Sequence, residues 1–339
     1  MGRVRAAIVC LLALAAAGCS TIGAQRVGID RDDYTERLRD SEKEQLLSNI
    51  VAMRYGDAPL FLSVASVISQ YTRESSGGLN LKFSPPSDAE TGGVSGAVLL
   101  RESPTVTYTP LSGERFTRSL LSPMPPGSLL AMMEAGWASD YLLRIAVRSI
   151  NGVRNTSRAE LFAQAGDLEF EAVAAAMRRL QGSGALNLRL HAQEHGVAGV
   201  AQVAPHPAPA QLADIELLKR LLGVKFDGEQ VRVVFAARPT APGELAISTR
   251  SMFEVLGEMA QGVDLTGGGE FSADALVRVH SGTSRPAQAH VAVQHRGRWF
   301  WIEADDVRSK QVFLLAQVML SLSDEADAAR APLVTIPAG

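Results

Sequence analysis

Residues 6–18, AAIVCLLALAAAG, carry no charge over 13 positions and follow Arg3 and Arg5. A helix spanning a bilayer needs roughly 20 apolar residues, so this run is too short to remain as an anchor. Basic flank, short apolar stretch and small residues at its end are the parts of a secretory signal peptide, which is removed on export. The folded body must then be built from the residues after Gly18. Cys10 leaves with the leader, and Cys19 is the second of the chain's two cysteines. One thiol closes no intramolecular disulfide in an oxidising compartment. Losing Arg3 and Arg5 takes the formal charge from −3 to −5. That balance, without a basic stripe, argues against a nucleic-acid partner.

Ala16-Ala17-Gly18-Cys19 resembles the lipobox of bacterial lipoproteins, although Ala16 stands where Leu is commoner. The resemblance implies cleavage before Cys19, a thioether from its sulfur to a glyceryl group bearing two palmitate-type chains, and acylation of the new amino group. Ser20 occupies the place where Asp would retain such a protein at the inner membrane, which implies the outer membrane. Each buried methylene contributes about 0.8 kcal/mol, so two or three acyl chains hold a protein to a bilayer durably. The body is similar to uncharacterised bacterial lipoproteins that share an RYGD-P-FL segment, here Arg54–Leu62, and an SINGVRN segment, here Ser149–Asn155. That family has no assigned activity and supplies no functional residues.

Residues 19–32 read as the lipidated cysteine and a polar tether, reaching roughly 45 Å at most when extended. With 46% hydrophobic and 20% charged residues, the remainder is a folded globule. Three prolines in 204–211, APHPAPAQ, resist helix and central strand alike and divide it into subdomains 33–203 and 212–339. Asp32 or Asp33 caps a helix to about Tyr55. FLSVASVISQYT alternates as a strand and turns at Gly77-Gly78 into LNLKF; AVLLRE and TVTYTP are separate further strands. A short helix covers 127–135, DYLLRIAVRSI is a strand, and DLEFEAVAAAMRRL is a helix burying Leu168, Val173, Met177 and Leu180. LNLRL is a strand and 210–222 a helix carrying Leu212, Ile215, Leu218 and Leu222. QVRVVFAA and ELAIST are strands, followed by a helix from Ser251 to Gln261. AQAHVAVQH and RWFWIEA form a hairpin turning at Arg296-Gly297. Asp305 or Asp306 caps a last helix to about Leu322, and APLVTIPAG adds an edge strand. Strands and helices interleave with frequent hairpins. This predicts an α+β fold with mixed or mainly antiparallel sheets and packed helices in two subdomains.

Three constellations bear on function. HAQEH, His191 to His195, matches the H-x-x-E-H pattern of inverted zinc metallopeptidases, with His191, His195 and Glu194 as the metal and base residues. That chemistry needs one helix face, whereas LNLRLH alternates as a strand. There the two histidines stand roughly 13 Å apart, too far to share an ion. TRS occurs at 117–119 and 249–251; Arg118 and Arg250 either grip an anion at helix starts or accompany a capping hydroxyl and pair with a carboxylate. RWFWIEADD, 298–306, holds two of the three tryptophans. In a strand Trp299 and Trp301 share one face and Phe300 takes the other, so the pair forms a carbohydrate or peptide groove, or one tryptophan packs under the last helix with its neighbour at the rim. No nucleophile elbow, phosphate-cradling glycine loop or metal-spaced Cys/His set occurs, and TGGGE at 266–270 reads as a flexible turn. No cofactor is expected. The expectation is a non-enzymatic lipoprotein, periplasm-facing and lipid-anchored, binding a protein or cell-envelope component. A zinc-dependent envelope hydrolase built on HAQEH is the alternative.

Overall fold

The computed structural model describes residues 24–81, 92–111, 114–193, 196–226 and 230–328. The chain forms two compact units, residues 60–113 and the remainder. The fold is α+β, with mixed and antiparallel sheets. Among the described residues no helix is long and apolar enough to cross a membrane.

The smaller unit is one antiparallel hairpin of β1 (Phe61–Leu81) and β2 (Gly92–Leu111). Its strands have 21 and 20 residues, against the five or six usual in globular proteins. Gly77-Gly78, expected as a turn, lies inside β1, where Gly77 pairs with Gly96 and Gly78 with Ser95. AVLLRE and TVTYTP are one continuous strand, not two. Diglycine permits a turn but does not compel one; the alternation continues through it, and pairing wins.

The larger unit opens with α1 (Ala24–Arg54), which begins well before Asp32 and makes most of the expected tether helical. Leu46, Leu47, Ile50 and Val51 are fully buried near its end, while most described residues before Leu46 are exposed or half-buried. Then come α2 (Glu114–Leu121), α3 (Pro126–Glu134) and α4 (Ser139–Ala146). DYLLRIAVRSI is therefore not a single strand. Leu142, Ile145 and Ala146 recur at helical spacing and are buried, and Arg144 pairs with Asp140 one turn earlier at 3.1 Å. Extended structure begins only at β3 (Val147–Ile150), which turns into β4 (Val153–Arg154) through Asn151 and Gly152. Both turn residues have positive φ, 47° and 89°, the two-residue turn that Asn-Gly favours.

Helix α5 (Leu168–Gly182) buries Phe170, Val173, Met177 and Leu180. Leu168, expected on that stripe, is 93% exposed because it sits in the first turn, ahead of the packed face. Strands β5 (Leu186–Gln193) and β6 (Gly196–Val203) come next, then α6 (Pro209–Leu222). In α6 Ile215, Leu218 and Leu222 are buried and Leu212 is exposed. They are succeeded by β7 (Val231–Phe235), β8 (Leu245–Thr249) and α7 (Met252–Ala260). β9 (His280–Gly282), β10 (Val291–His295), β11 (Arg298–Ile302) and α8 (Val307–Ala328) complete the order.

Six strands form one mixed sheet in the order β4-β3-β8-β7-β6-β5, with β7 and β8 parallel. The proline segment 204–211 is not a boundary in this sheet: β6 before it pairs with β7 after it. Its prolines instead lead into α6, where Pro209 takes the first helical position, the one that needs no N–H partner. β8, inside the sheet, is buried at four of its five positions, as a strand covered on both faces should be. The second sheet is antiparallel, in the order β10-β11-β9. α1 packs against β10 and α7, whereas α3 covers β5 and β6. The segment APLVTIPAG lies outside the described residues.

Candidate functional site

The period of β11 decides which of its rings is available. Phe300 and Ile302 are fully buried, and Trp299 and Trp301 are half-buried on the opposite face, as the alternation predicts. Both tryptophans thus belong to one surface, and it is Phe300 between them that enters the core. Its ring meets Tyr55 edge-on at 6.1 Å.

Pairing with β9 sets Trp301 opposite His280 and Trp299 opposite Gly282. The indole of Trp301 stacks on the imidazole of His280 at 5.8 Å and 21°, and Phe271 meets the same imidazole edge-on at 4.8 Å. A Cβ on Gly282 would approach the Trp301 ring to 3.2 Å, so glycine there lets the indole lie across the neighbouring strand. The indole Nε1 of Trp301 donates to Glu303 Oε1 at 2.7 Å. The guanidinium of Arg285 stands 5.3 Å from the Trp299 ring centre, a cation–π distance. Arg285 also lines a cleft of about 510 Å³ with Asp40, Lys43, Glu44 and His290. Burial, with Lys43 and Lys310 nearby, holds His290 below the usual imidazole range and favours its neutral form.

Two acids frame this face. Burial alone would raise the carboxyl of Asp306. The hydroxyl and backbone N–H of Ser309, with Arg278 and His280, hold it below the usual carboxylate range. Asp306 is thus the cap of α8. Burial would likewise raise Asp264, yet it accepts from the N–H groups of Thr266, Gly267 and Gly269 and from the Thr266 hydroxyl, and is held low. The TGGG loop is therefore a turn wound around one carboxylate, with Gly267 and Gly269 at positive φ, not the flexible turn expected. At Gly267 a Cβ would stand 2.8 Å from Arg298 Nη2. Arg298 in turn donates to Ser281 Oγ at 3.1 Å. The surface combines stacked flat rings, a cation and a carboxylate, which is chemistry for recognition.

The remaining expected residues are placed apart from it. Arg250 is 2% exposed and donates to the carbonyls of Arg144, Ile145 and Thr156. Desolvation lowers its pKa, partly offset by Glu258 and Glu254. It holds backbone together and does not present itself to an anion. Ser251 caps α7, accepting from Glu254 N at 3.2 Å while Glu254 accepts from Ser251 N at 2.9 Å. The other TRS lies within α2 rather than at a helix start, with Arg118 exposed. His191 is in strand β5, paired with Ala198, while Glu194 and His195 lie outside the described residues. Cys19 also lies outside them.

Residues 54–62 and 149–155 both contain turns with many partners. Asn151 donates to Leu222 O and Glu244 O and accepts from Ala246 N. Asn155, 6% exposed, donates to Leu143 O, Arg144 O and Val147 O at the end of α4. In the RYGD segment Gly56 has φ 81°, and Asp57 pairs with Arg296 at 2.9 Å, whose guanidinium lies over Tyr55. Reading Asn-Gly as a hairpin turn would have located the first; nothing local marks Asn155 or the buried Glu258, which accepts from Ser157 Oγ, Arg158 N and Ala159 N. No family model, no curated protein and no solved structure matches the chain.

Proposed function

We propose that the chain is an exported lipoprotein, acylated at Cys19 and held at the outer membrane facing the periplasm, whose body binds a protein or cell-envelope component. The observation that carries this reading is Ala16-Ala17-Gly18-Cys19 at the end of an uncharged run too short to span a bilayer. The binding role rests on the face of Trp299 and Trp301, bordered by Arg285 and Glu303. Such a face offers flat apolar area with polar handles at its rim, which suits a sugar or a peptide. Its two hydroxyl–carboxylate contacts, Thr266 with Asp264 and Ser309 with Asp306, belong to a turn and a helix cap, so binding without catalysis is the reading proposed for it.

The intact mass of the mature protein from membranes tests the anchor. The expected product begins at Cys19 and carries two or three acyl chains; a product that retains residues 1–18, or has a bare thiol, overturns it. A Cys19→Ser chain is expected to leave the membrane fraction. The binding face is tested by crosslinking in whole envelopes with the wild-type and Trp299→Ala/Trp301→Ala chains. Loss of a discrete partner band in the variant supports the assignment, and an unchanged pattern, or no band with either chain, removes it.

A further inference from the structure

The hairpin β1–β2 is paired from Phe61–Leu111 to Leu81–Gly92 with one irregularity between Val64 and Ser66, and among the described residues no third strand joins its sheet. Twenty residues of strand extend roughly 68 Å, and a lone two-stranded ribbon is marginal in water. An edge of that length is a template for another strand. Pro104 and Pro110, which lack an N–H, fall only in the half of β2 near its base. From Gly92 to Leu100, short of the charged Arg101 and Glu102, every residue of β2 keeps its donor, a stretch of nine, and a membrane-crossing strand needs about 9–11.

Register and parity divide the tip half into two unlike faces. One takes Leu79 and Leu81 from β1 and Val94, Val98 and Leu100 from β2, with Ser75, Gly77, Gly92 and Gly96 between them. The other takes Thr72, Ser76, Asn80, Ser95 and Ser103, with Leu99 its one large apolar residue. Four charges form a belt at mid-ribbon: Arg73 and Glu102 on the apolar face, Glu74 and Arg101 on the polar one. Inside the hairpin none of these stands opposite a charge, because Arg73 faces Leu100, Glu102 faces Tyr71, Glu74 faces Leu99 and Arg101 faces Thr72. If β1 of one copy is laid antiparallel along β2 of the next, a single register matches all four. Arg73 then stands opposite Glu102 of the next copy, and Glu74 opposite its Arg101. That register is displaced by two residues from the one inside the hairpin, an even step that keeps each face on its own side. A two-residue stagger for every two strands makes the shear equal to the strand number, as in the eight-stranded barrel with its tilt of about 36°.

We propose that the hairpins of several copies of this chain pair edge to edge, β1 with the β2 of the next copy in this offset register, and close one β-barrel whose apolar face beyond the charge belt lies against lipid. Closure satisfies every edge donor and acceptor, the condition for backbone in a bilayer. The alternation matches that of membrane barrels, apolar outside and polar within. This does not depend on acylation of Cys19.

The test uses the full chain in dodecyl maltoside micelles and in phosphatidylcholine liposomes loaded with a self-quenched dye. One chain carries Thr72→Cys and another Ser103→Cys, opposite each other only across the offset junction; the unsubstituted chain sets the background from Cys10 and Cys19. Mixed and oxidised, they are expected to give a covalent dimer at several times the yield of a Gln70→Cys and Ser103→Cys mixture, which samples the undisplaced register. Without substitution the chain is expected to have the mass of a discrete oligomer and to release the dye. Arg73→Glu is expected to abolish the oligomer, and Glu102→Arg in the same chain to restore it, an outcome a misfolded hairpin could not give. A monomer in both media overturns the proposal. So does a preference for the Gln70 and Ser103 pair, a failure of the charge reversal to rescue, or an oligomer that leaves the liposomes sealed.

Discussion

Asn151 shows how much one side chain can settle. Its amide joins the end of α6, the turn before β8 and β8 itself, and its backbone takes φ 47°, a conformation that Asn tolerates better than most residues. Asn151→Ala removes three hydrogen bonds and adds backbone strain, so a loss of about 2–4 kcal/mol is expected in urea unfolding. Asn151→Gly relieves the strain but not the lost bonds and should recover about 1 kcal/mol of that loss. Equal losses from the two variants would place the whole effect in the side chain. Asp264 supplies a pH dependence. Its carboxyl is held below the usual range in the fold, so the stability it contributes is present above its unfolded pKa and disappears as pH falls through the folded one. The hydrogen-exchange protection of the amides of Thr266, Gly267 and Gly269, taken relative to the intrinsic rate at each pH, should therefore fall as the solution is acidified below the ordinary Asp range. In Asp264→Asn the same amides should be poorly protected already at neutral pH and should show no such acid step.

Elements were legible where a local pattern and a tertiary requirement agree. α5, α6 and α7 were readable because apolar residues recur at helical spacing beside a cap or a proline, and Ser251 with Glu254 forms the reciprocal cap. The turn at Arg296-Gly297 was readable because it joins two alternating runs, and φ of 48° and 80° confirm its geometry. Failures came where the local pattern admits two answers. Leu142, Leu143 and Ile145 serve a buried strand as well as a helix, and the choice rests on packing against α5. Gly77-Gly78 could turn, but cross-strand pairing keeps it extended. At the site, the shared face of Trp299 and Trp301 followed from period two, whereas Phe271, His280, Gly282 and Arg285 come from segments whose pairing no local pattern announces. Backbone proximity is the least legible of all. Gly262, just past α7, leaves no room for a side chain: a Cβ would stand 1.8 Å from Val277 O, beside the bridge between Val263 and Val279. Gly262→Ala must push these segments apart and is expected to cost about 3 kcal/mol. The cost should appear as a lower denaturation midpoint with an unchanged slope; a neutral substitution would mean that the two segments separate freely.

At the scale of the whole molecule, the division into two units gives a prediction about independence. The two sheets of the larger unit and all eight described helices lie outside residues 60–113. The hairpin leaves and returns at one place, because Phe61 pairs with Leu111, Leu62 with Pro110 and Ser63 with Thr109. Replacing residues 64–108 by Asn-Gly keeps those three pairs and closes them with the two-residue turn that hairpins favour. The core built from α1, α3, α5 and the six-stranded sheet loses no element by this change. The shortened chain is therefore expected to unfold cooperatively with Tm within about 4 °C of the parent, the shift that roughly 1 kcal/mol produces in a domain of this size. Differential scanning calorimetry measures this directly, and a drop of tens of degrees would show that the hairpin is part of the core rather than an appendage to it. The same chain separates stability from assembly. If the long strands exist to pair with other copies, the shortened protein should be a stable monomer in dodecyl maltoside and should release no dye from liposomes. A shortened chain that still assembled would place the contact between copies on the larger unit instead.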